Sequence, residues 1–334
     1  MLNALTIDVE DYFQVHAFSH IIRYEDWDKY ECRVEQNTRH ILDILNGSRR
    51  TPNAEHRTQI HATFFCLGWI AERYPQLIKE IHIQGHEIAS HGYAHQLIYR
   101  QSPEEFRNDI RKAKTILEDI IGEEVVGYRA PSYSITEKSK WAFGVLVEEG
   151  FKYDSSIFPI RHDFYGIPHA PRFPFMVSLN GNGTPQFNPL SFVSVERGTL
   201  NVEPSISKAE LRTPNSEPRT SDVDPRTLNY ILEFPISTVP LGGLNFPLSG
   251  GGYFRLFPYP LIKKGLKRIN DKEKHPFIFY FHPWEIDPGQ PRIEKAGTKS
   301  KFRHYLNLDK TEPRLKHLLK DFRFLTVRHL LNIN

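Results

Sequence analysis

Short apolar runs that end on ionisable residues alternate with helical stretches through the first half of this 334-residue chain, and that alternation restricts the fold more than any other feature. Ala4 to Val9 is an apolar run ending in the acidic cluster Asp8, Glu10 and Asp11, the pattern of a buried strand with an exposed carboxyl end. From Glu31 to Leu45, Val34, Ile41, Leu42 and Leu45 share one helical face before Gly47. His61 to Leu67 reads as a second buried strand, followed by a helix from Pro75 to Gln84 that stops at Gly85. Ser102, Pro103 and Glu105 form a capping box for a helix whose buried face is Phe106, Ile110, Ala113 and Leu117. Short strands at Val125 to Tyr128 and Phe151 to Asp154 flank a helix running from Thr136 to Glu149. Strand-then-helix alternation predicts an α/β protein with a parallel sheet, open or closed into a barrel, whose chemistry lies at the carboxyl ends of the strands.

From about Met176 to Thr227 the periodicity stops and Asn, Gly, Pro, Ser and Thr dominate, so an insertion is expected at about 176–227, mobile or folded as a small subdomain. Order resumes at Tyr230 to Thr238, continues in the aromatic run Pro276 to Phe281 that ends at His282, and closes with a helix at Thr311 to Lys320 and a strand at Phe322 to Val327. Lys and Arg total 43 against 40 Asp and Glu, a balance without the basic stripe that nucleic-acid binding needs. Two cysteines, Cys32 and Cys66, leave no disulfide framework. The first residues lack the cationic start and apolar core of a signal peptide, and no stretch approaches the ~18 apolar residues of a membrane span. Cytoplasmic residence is the expectation, with membrane attachment through a partner left open.

In a parallel α/β fold, ionisable groups after different strands converge on one rim. His91 and His95 are spaced i, i+4, which on a helical turn puts both imidazoles on one side, at a distance suited to one metal ion; with 16 histidines in the chain, chance spacing is the alternative. Asp8 and Glu10 share a face if the strand continues, whereas Asp11 points away unless the chain has already turned. Two neighbouring carboxylates suit a division of labour in which one holds a metal and the other takes a proton from water. Arg129, before a proline-directed turn, is placed to hold a carboxylate, with a surface arginine as the alternative. Asp154 fits a solvated turn equally well, and His282 fits a structural histidine until a partner is named.

Taken in order, these residues resemble the polysaccharide deacetylases of carbohydrate esterase family 4, which share the NodB homology domain. T-I-D-V-E-D at Thr6 to Asp11 is similar to the first motif, H-G-Y-A-H at His91 to His95 to the second and R-A-P-S at Arg129 to Ser132 to the third. Asp154-Ser155-Ser156 and Phe279-Tyr280-Phe281-His282 are similar to the fourth and fifth. D-V-E-D-Y-F-Q-V, F-P-I-S-T, S-G-G-G-Y-F-R and F-H-P-W-E-I-D further resemble deacetylases of exopolysaccharide loci associated with PEP-CTERM protein sorting.

The resemblance implies a distorted, incomplete (β/α) barrel, a single domain over 1–334 with a subgroup-specific C-terminal part at about 230–334. It implies a divalent metal, zinc being expected, and an N-acetylated polysaccharide or oligosaccharide as substrate. Asp8 is then the general base, His91 and His95 are metal ligands, Arg129 orients Asp8, and His282 is the acid whose pKa Asp154 adjusts. Pro131, Ser132, Tyr133 and Trp284 are the implied substrate contacts, with a backbone N–H just beyond Pro131 serving the oxyanion. Two departures stand out. Val9 occupies the place where the family has its metal carboxylate, leaving Glu10 or Asp11, with Glu10 preferred; and Phe158 is the nearest candidate for the aromatic wall of the fourth motif.

Overall fold

The computed structural model describes residues 1–47, 60–180, 183–193, 201–203 and 230–333. Five parallel strands follow one another across the sheet: β1 (Leu2–Val9), β2 (Thr63–Cys66), β3 (Glu87–Ser90), β4 (Gly127–Tyr128) and β5 (Tyr153–Asp154). Beyond β5 come β6 (Phe175–Leu179) and β7 (Pro185–Pro189), then a separate two-stranded pair, β8 (Ser191–Val193) and β9 (Asn201–Glu203). They are followed by β10 (Tyr230–Glu233), the hairpin β11 (Thr238–Leu241) and β12 (Leu244–Pro247), β13 (Ile278–Phe281) and β14 (Arg323–Leu325). The main sheet runs β13-β1-β2-β3-β4-β5-β10-β6-β7, with β14 also on β1. Its end strands β13 and β7 do not pair, so the barrel is open, as the incomplete barrel of the sequence reading requires.

Helices α1 (Val34–Gly47), α2 (Gly68–Arg73), α3 (Pro75–Ile83), α4 (Pro103–Ile121) and α5 (Ala142–Glu148) form the crossovers of the first half. In the second half α6 (Gly251–Leu256), α7 (Tyr259–Lys267), α8 (Thr298–Tyr305), α9 (Leu308–Asp321) and α10 (Val327–Leu330) complete the shell. α4 starts on the expected capping box: the Glu105 amide donates to Ser102 Oγ at 3.2 Å, and the Ser102 amide donates to the Glu105 carboxylate at 2.7 Å. At its other end Gly122 takes φ 73°, the left-handed cap that a side chain disfavours. α2 escapes sequence reading because six residues are too few to show a helical period.

The irregular stretch expected from Met176 begins instead as sheet. β6 buries Phe175, Met176 and Val177, pairs antiparallel with β10 and turns back into β7, so turn residues between two short strands had the composition of a loop. Residues 181–182, 194–200 and 204–227 of the expected insertion lie outside the described residues.

Alternate strand residues enter two cores. Leu5, Ile7 and Val9 of β1, Phe64 and Cys66 of β2, and Phe279 and Phe281 of β13 pack into the larger one; Ala4, Phe65, Ile278 and Tyr280 face the smaller, on the inside of the open barrel. By the same two-residue period Thr6 and Asp8 share the inner face with Ala4.

Candidate active site

Asp8, at the carboxyl end of β1, is 2% exposed and its Oδ1 accepts a hydrogen bond from Arg129 Nη1 at 2.6 Å. Arg129 follows β4 and is fully buried, not a surface residue. It also donates to Thr6 Oγ1 at 2.8 Å and to the Ser155 carbonyl and hydroxyl at 3.1 and 2.9 Å, while Phe65 lies beneath its guanidinium. Four of the five N–H donors of the fork are thus used, fixing the guanidinium so that it aims one carboxylate.

Glu10, His91 and His95 come together with one ligand atom from each within 4.8 Å of the others. The histidine pair is not carried on a helix. Residues 91–95 form a turn after β3 in which Gly92 takes φ 74° and His95 φ 51°, and the turn, in place of helical spacing, brings the rings 5.4 Å apart. His91 Nδ1 is 2.8 Å from the Arg129 carbonyl, so this nitrogen carries the proton and leaves Nε2 as a lone pair. Burial pushes the His91 imidazole down to about 4, keeping it neutral, the form that ligates a metal. Burial works against the charge of Glu10, but His95 and His282 outweigh it and hold the carboxyl down to about 2. Glu10 Oε2 makes no aligned hydrogen bond although His95 Nε2 stands 2.7 Å away, a convergence of donor atoms that fits a cation. A carboxylate with two imidazoles is a donor set suited to zinc.

His282 follows β13, with Nε2 3.8 Å from Asp8 and 3.5 Å from Glu10. Its other nitrogen, Nδ1, is 2.6 Å from Glu285, which Arg255 of α6 grips at 2.6 Å. Burial opposes protonation, but Glu10, Glu285 and Asp8 prevail and lift His282 to about 9, so the ring is cationic at neutral pH.

Four expectations are corrected. Asp11 is not beside the histidines: its carboxylate accepts the amides of Tyr12, Arg33 and Val34 at 2.8, 2.6 and 2.8 Å and caps the start of α1, because one residue beyond Glu10 lies on the opposite face. Asp154 does not touch His282. It is fully buried, accepts from Ser156 Oγ at 2.6 Å and pairs with Glu233 at the end of β10; the partner of His282 is Glu285, three residues on, inside the F-H-P-W-E-I-D motif but without a role assigned there. Trp284 does not line an open groove: it stacks between His282 and His304 and donates Nε1–H to Glu10 at 3.2 Å. Phe158 is 1% exposed, stacked on Tyr165, and offers no open wall.

The remaining expected residues, Pro131, Ser132 and Tyr133, form one tight turn after Arg129. Ser132 and Tyr133 take φ 52° and 54°, a strained left-handed pair of the kind held at functional sites. Tyr133 spends its amide on the Ala130 carbonyl at 3.0 Å, which leaves the Ser132 N–H as the candidate oxyanion donor; Ala130 itself is pinned by Ser156 Oγ at 2.7 Å.

Residues 24–144, which carry the histidine turn and Arg129, match the polysaccharide deacetylase family. Residues 205–332, which carry Glu233, Arg255, His282 and Glu285, match a domain of unknown function (DUF3473). A peptidoglycan-N-acetylglucosamine deacetylase of Bacillus cereus is 38% identical over 84 residues, 25% of this chain and 30% of that protein. A peptidoglycan deacetylase of Helicobacter pylori is 31% identical over 103 residues, 31% of this chain and 33% of its own. The chain therefore spans about a third or less of these two deacetylases. A crystal structure from Mycobacterium smegmatis, assigned to the polysaccharide deacetylases, covers 98% of this chain and 88% of its own at TM-score 0.52 and 15% identity, a likeness of fold.

Proposed function

We propose that the chain is a metal-dependent deacetylase that hydrolyses the N-acetyl groups of amino sugars, and that its substrate is an exopolysaccharide or the lipid-linked precursor of one. The observation that carries this reading is the convergence of a buried, arginine-held carboxylate, an Asp8–His282 separation of 3.8 Å and the Glu10, His91 and His95 donor set on one rim. The relatives named above act on N-acetylated glycans, which supports the reaction class. The choice of exopolysaccharide rests on the resemblance of D-V-E-D-Y-F-Q-V and F-H-P-W-E-I-D to deacetylases of such loci.

Glu10, His91 and His95 would hold the cation, with zinc proposed. A bound divalent ion supplies Lewis acidity, activating water at neutral pH and polarising the acetamide carbonyl. The residues of the chain divide the remaining work. Asp8, fixed by Arg129, takes the proton of the attacking water. The Ser132 N–H faces the developing oxyanion, worth about 3–4 kcal/mol for one such donor. His282, cationic through Glu10, Glu285 and Asp8, gives its proton to the departing amine.

We further take 1–334 as one catalytic domain, whose part at about 230–334 supplies the acid side of the site. Among the described residues no helix is long and apolar enough to cross a membrane; action in the cytoplasm, or at a membrane face through a partner, is proposed with the precursor substrate.

The test is acetate release from N-acetylglucosamine oligomers by the purified chain, with zinc restored and then chelated. Release that chelation stops and that Asp8→Asn lacks is the expected result. Zinc uptake without release from any N-acetylated glycan offered would overturn deacetylation in favour of another amide, and neither uptake nor release would leave a carbohydrate-binding protein.

A further inference from the structure

The turn that carries His91 and His95 has four of its five backbone amides and two of its carbonyls accounted for. On one side its Gly92 and Tyr93 carbonyls accept the amides of Gly68 and Trp69, at the start of α2, at 2.9 and 3.1 Å. The amide of His91 goes to the Cys66 carbonyl and that of Gly92 to Ser90 Oγ. The next two amides, Tyr93 and Ala94, both donate to a single carboxylate, Asp109 of α4, at 2.8 and 3.2 Å.

Asp109 can reach them because position 92 has no side chain. A Cβ there would stand 2.7 Å from Asp109 Oδ2, and Gly92 takes φ 74°, which a side chain disfavours in any case. The carboxylate is also carried on a rigid support, since α4 is fixed by its capping box and buries Phe106, Ile110, Ala113 and Leu117. Around it Lys112 lies over the Tyr93 ring at 3.4 Å, and Tyr93 Oη donates to Glu72, so the turn is gripped from the helix side as well as from the sheet.

The turn gains no helical hydrogen bonds of its own and holds His95 at φ 51°, a conformation that persists only when its surroundings impose it. What imposes it on the amide side is one residue. We propose that Asp109 is the positioning residue of the metal site: by collecting the Tyr93 and Ala94 amides, in space that Gly92 leaves free, it sets the direction in which the His91 and His95 imidazoles converge with Glu10. This rests on the metal reading of those three residues.

The experiment is titration of the metal-free full chain with cobalt(II) alone, reading both the binding isotherm and the d–d absorption bands that report ligand geometry, with melting of the metal-free chain followed in parallel. Outer partners that orient ligating histidines are typically worth about 10–100-fold in affinity. Asp109→Ala is expected to weaken cobalt binding by that factor and to shift the bands. Asp109→Asn, which keeps one acceptor oxygen, falls between it and wild type. Gly92→Ala, which pushes a methyl into the carboxylate while leaving Asp109 and both histidines in place, weakens binding in the same sense. If Asp109→Ala fails to fold, the bands of Asp109→Asn and Gly92→Ala decide. Native affinity and bands in the Asp109 variants, even with a lowered melting temperature, would make Asp109 a cap of the fold only and overturn the proposal. Wild-type protein that takes up no cobalt would overturn the metal reading itself.

Discussion

Two buried arginine–carboxylate pairs serve the two ends of the proposed reaction. Arg129 holds Asp8 at 2.6 Å and Arg255 holds Glu285 at 2.6 Å, with all four side chains 3% exposed or less. In the first pair the carboxylate itself faces the reacting atoms; in the second it acts through His282. The first is assembled by sheet register, because β1 and β4 end on the same rim. The second is assembled by helices, since Arg255 lies on α6 and is braced by the His304 and Leu306 carbonyls around the end of α8. Precise aim at the base therefore follows from the parallel sheet common to the fold, while aim at the acid is a product of the C-terminal part of this chain.

The comparison breaks most sharply at Asp8. Asp8→Asn should cut kcat by about 10²–10⁴-fold with metal uptake retained, checked by acetate release alongside zinc content. Unchanged turnover would remove Asp8 from the base role. Glu285→Gln should lower kcat less, up to about 10²-fold, with KM and zinc affinity near wild type, since the acid is still present but less firmly protonated. A change in KM alone would mean that Glu285 shapes substrate binding instead.

Trp284→Phe keeps an aromatic ring against His304 and removes, with part of the indole, the N–H given to Glu10. Zinc competition with a chelator should show about 10-fold weaker binding, and an unchanged affinity would mark Trp284 as packing alone.

The smallest effect lies behind the rim, at the Asp154–Glu233 pair. Burial, and then the charge of Asp154, raise the Glu233 carboxyl well above its ordinary range, so the folded chain holds this proton to higher pH than the unfolded chain does. Stability from the pair is present at low pH and is lost as pH rises through the folded-state value. Glu233→Gln cannot ionise and keeps an oxygen for the Ile157 amide. Its melting temperature should exceed that of wild type by a margin that widens from about pH 5 to about pH 9, and a constant margin would deny the buried proton.

How much of this was legible in the sequence divides along the same line. Capped helices such as α4 and strands such as β1 announce themselves through local chemistry, and their order gave the parallel α/β sheet, while the incomplete barrel came from the family resemblance. Asp8, Glu10, His91, His95 and Arg129 sit at strand ends where short motifs mark them, and the two-residue period of β1 already separated Glu10 from Asp11. Arg255 and Glu285 lie inside S-G-G-G-Y-F-R and F-H-P-W-E-I-D, but their roles were not legible because their meaning lies in a contact spanning 30 positions between two helical turns. Asp154 drew attention by its motif position, yet burial turned it toward Ser156 and Glu233 instead of His282. The β6–β7 hairpin was missed because its Asn- and Gly-rich turn weighed more in composition than two short strands.

The placement of β1 has a consequence for how the chain acquires competence. This strand lies between β2, made soon after it, and β13, and Thr6 Oγ1 donates to the Phe279 carbonyl 273 positions away. Closing so long a loop is a slow, late step. A nascent chain stalled before Phe281 would hold Asp8, Arg129 and the Glu10, His91 and His95 set, yet lack His282 and the strand that packs beside β1. The order of synthesis would then keep the proposed reaction silent until β13 and His282 have been made.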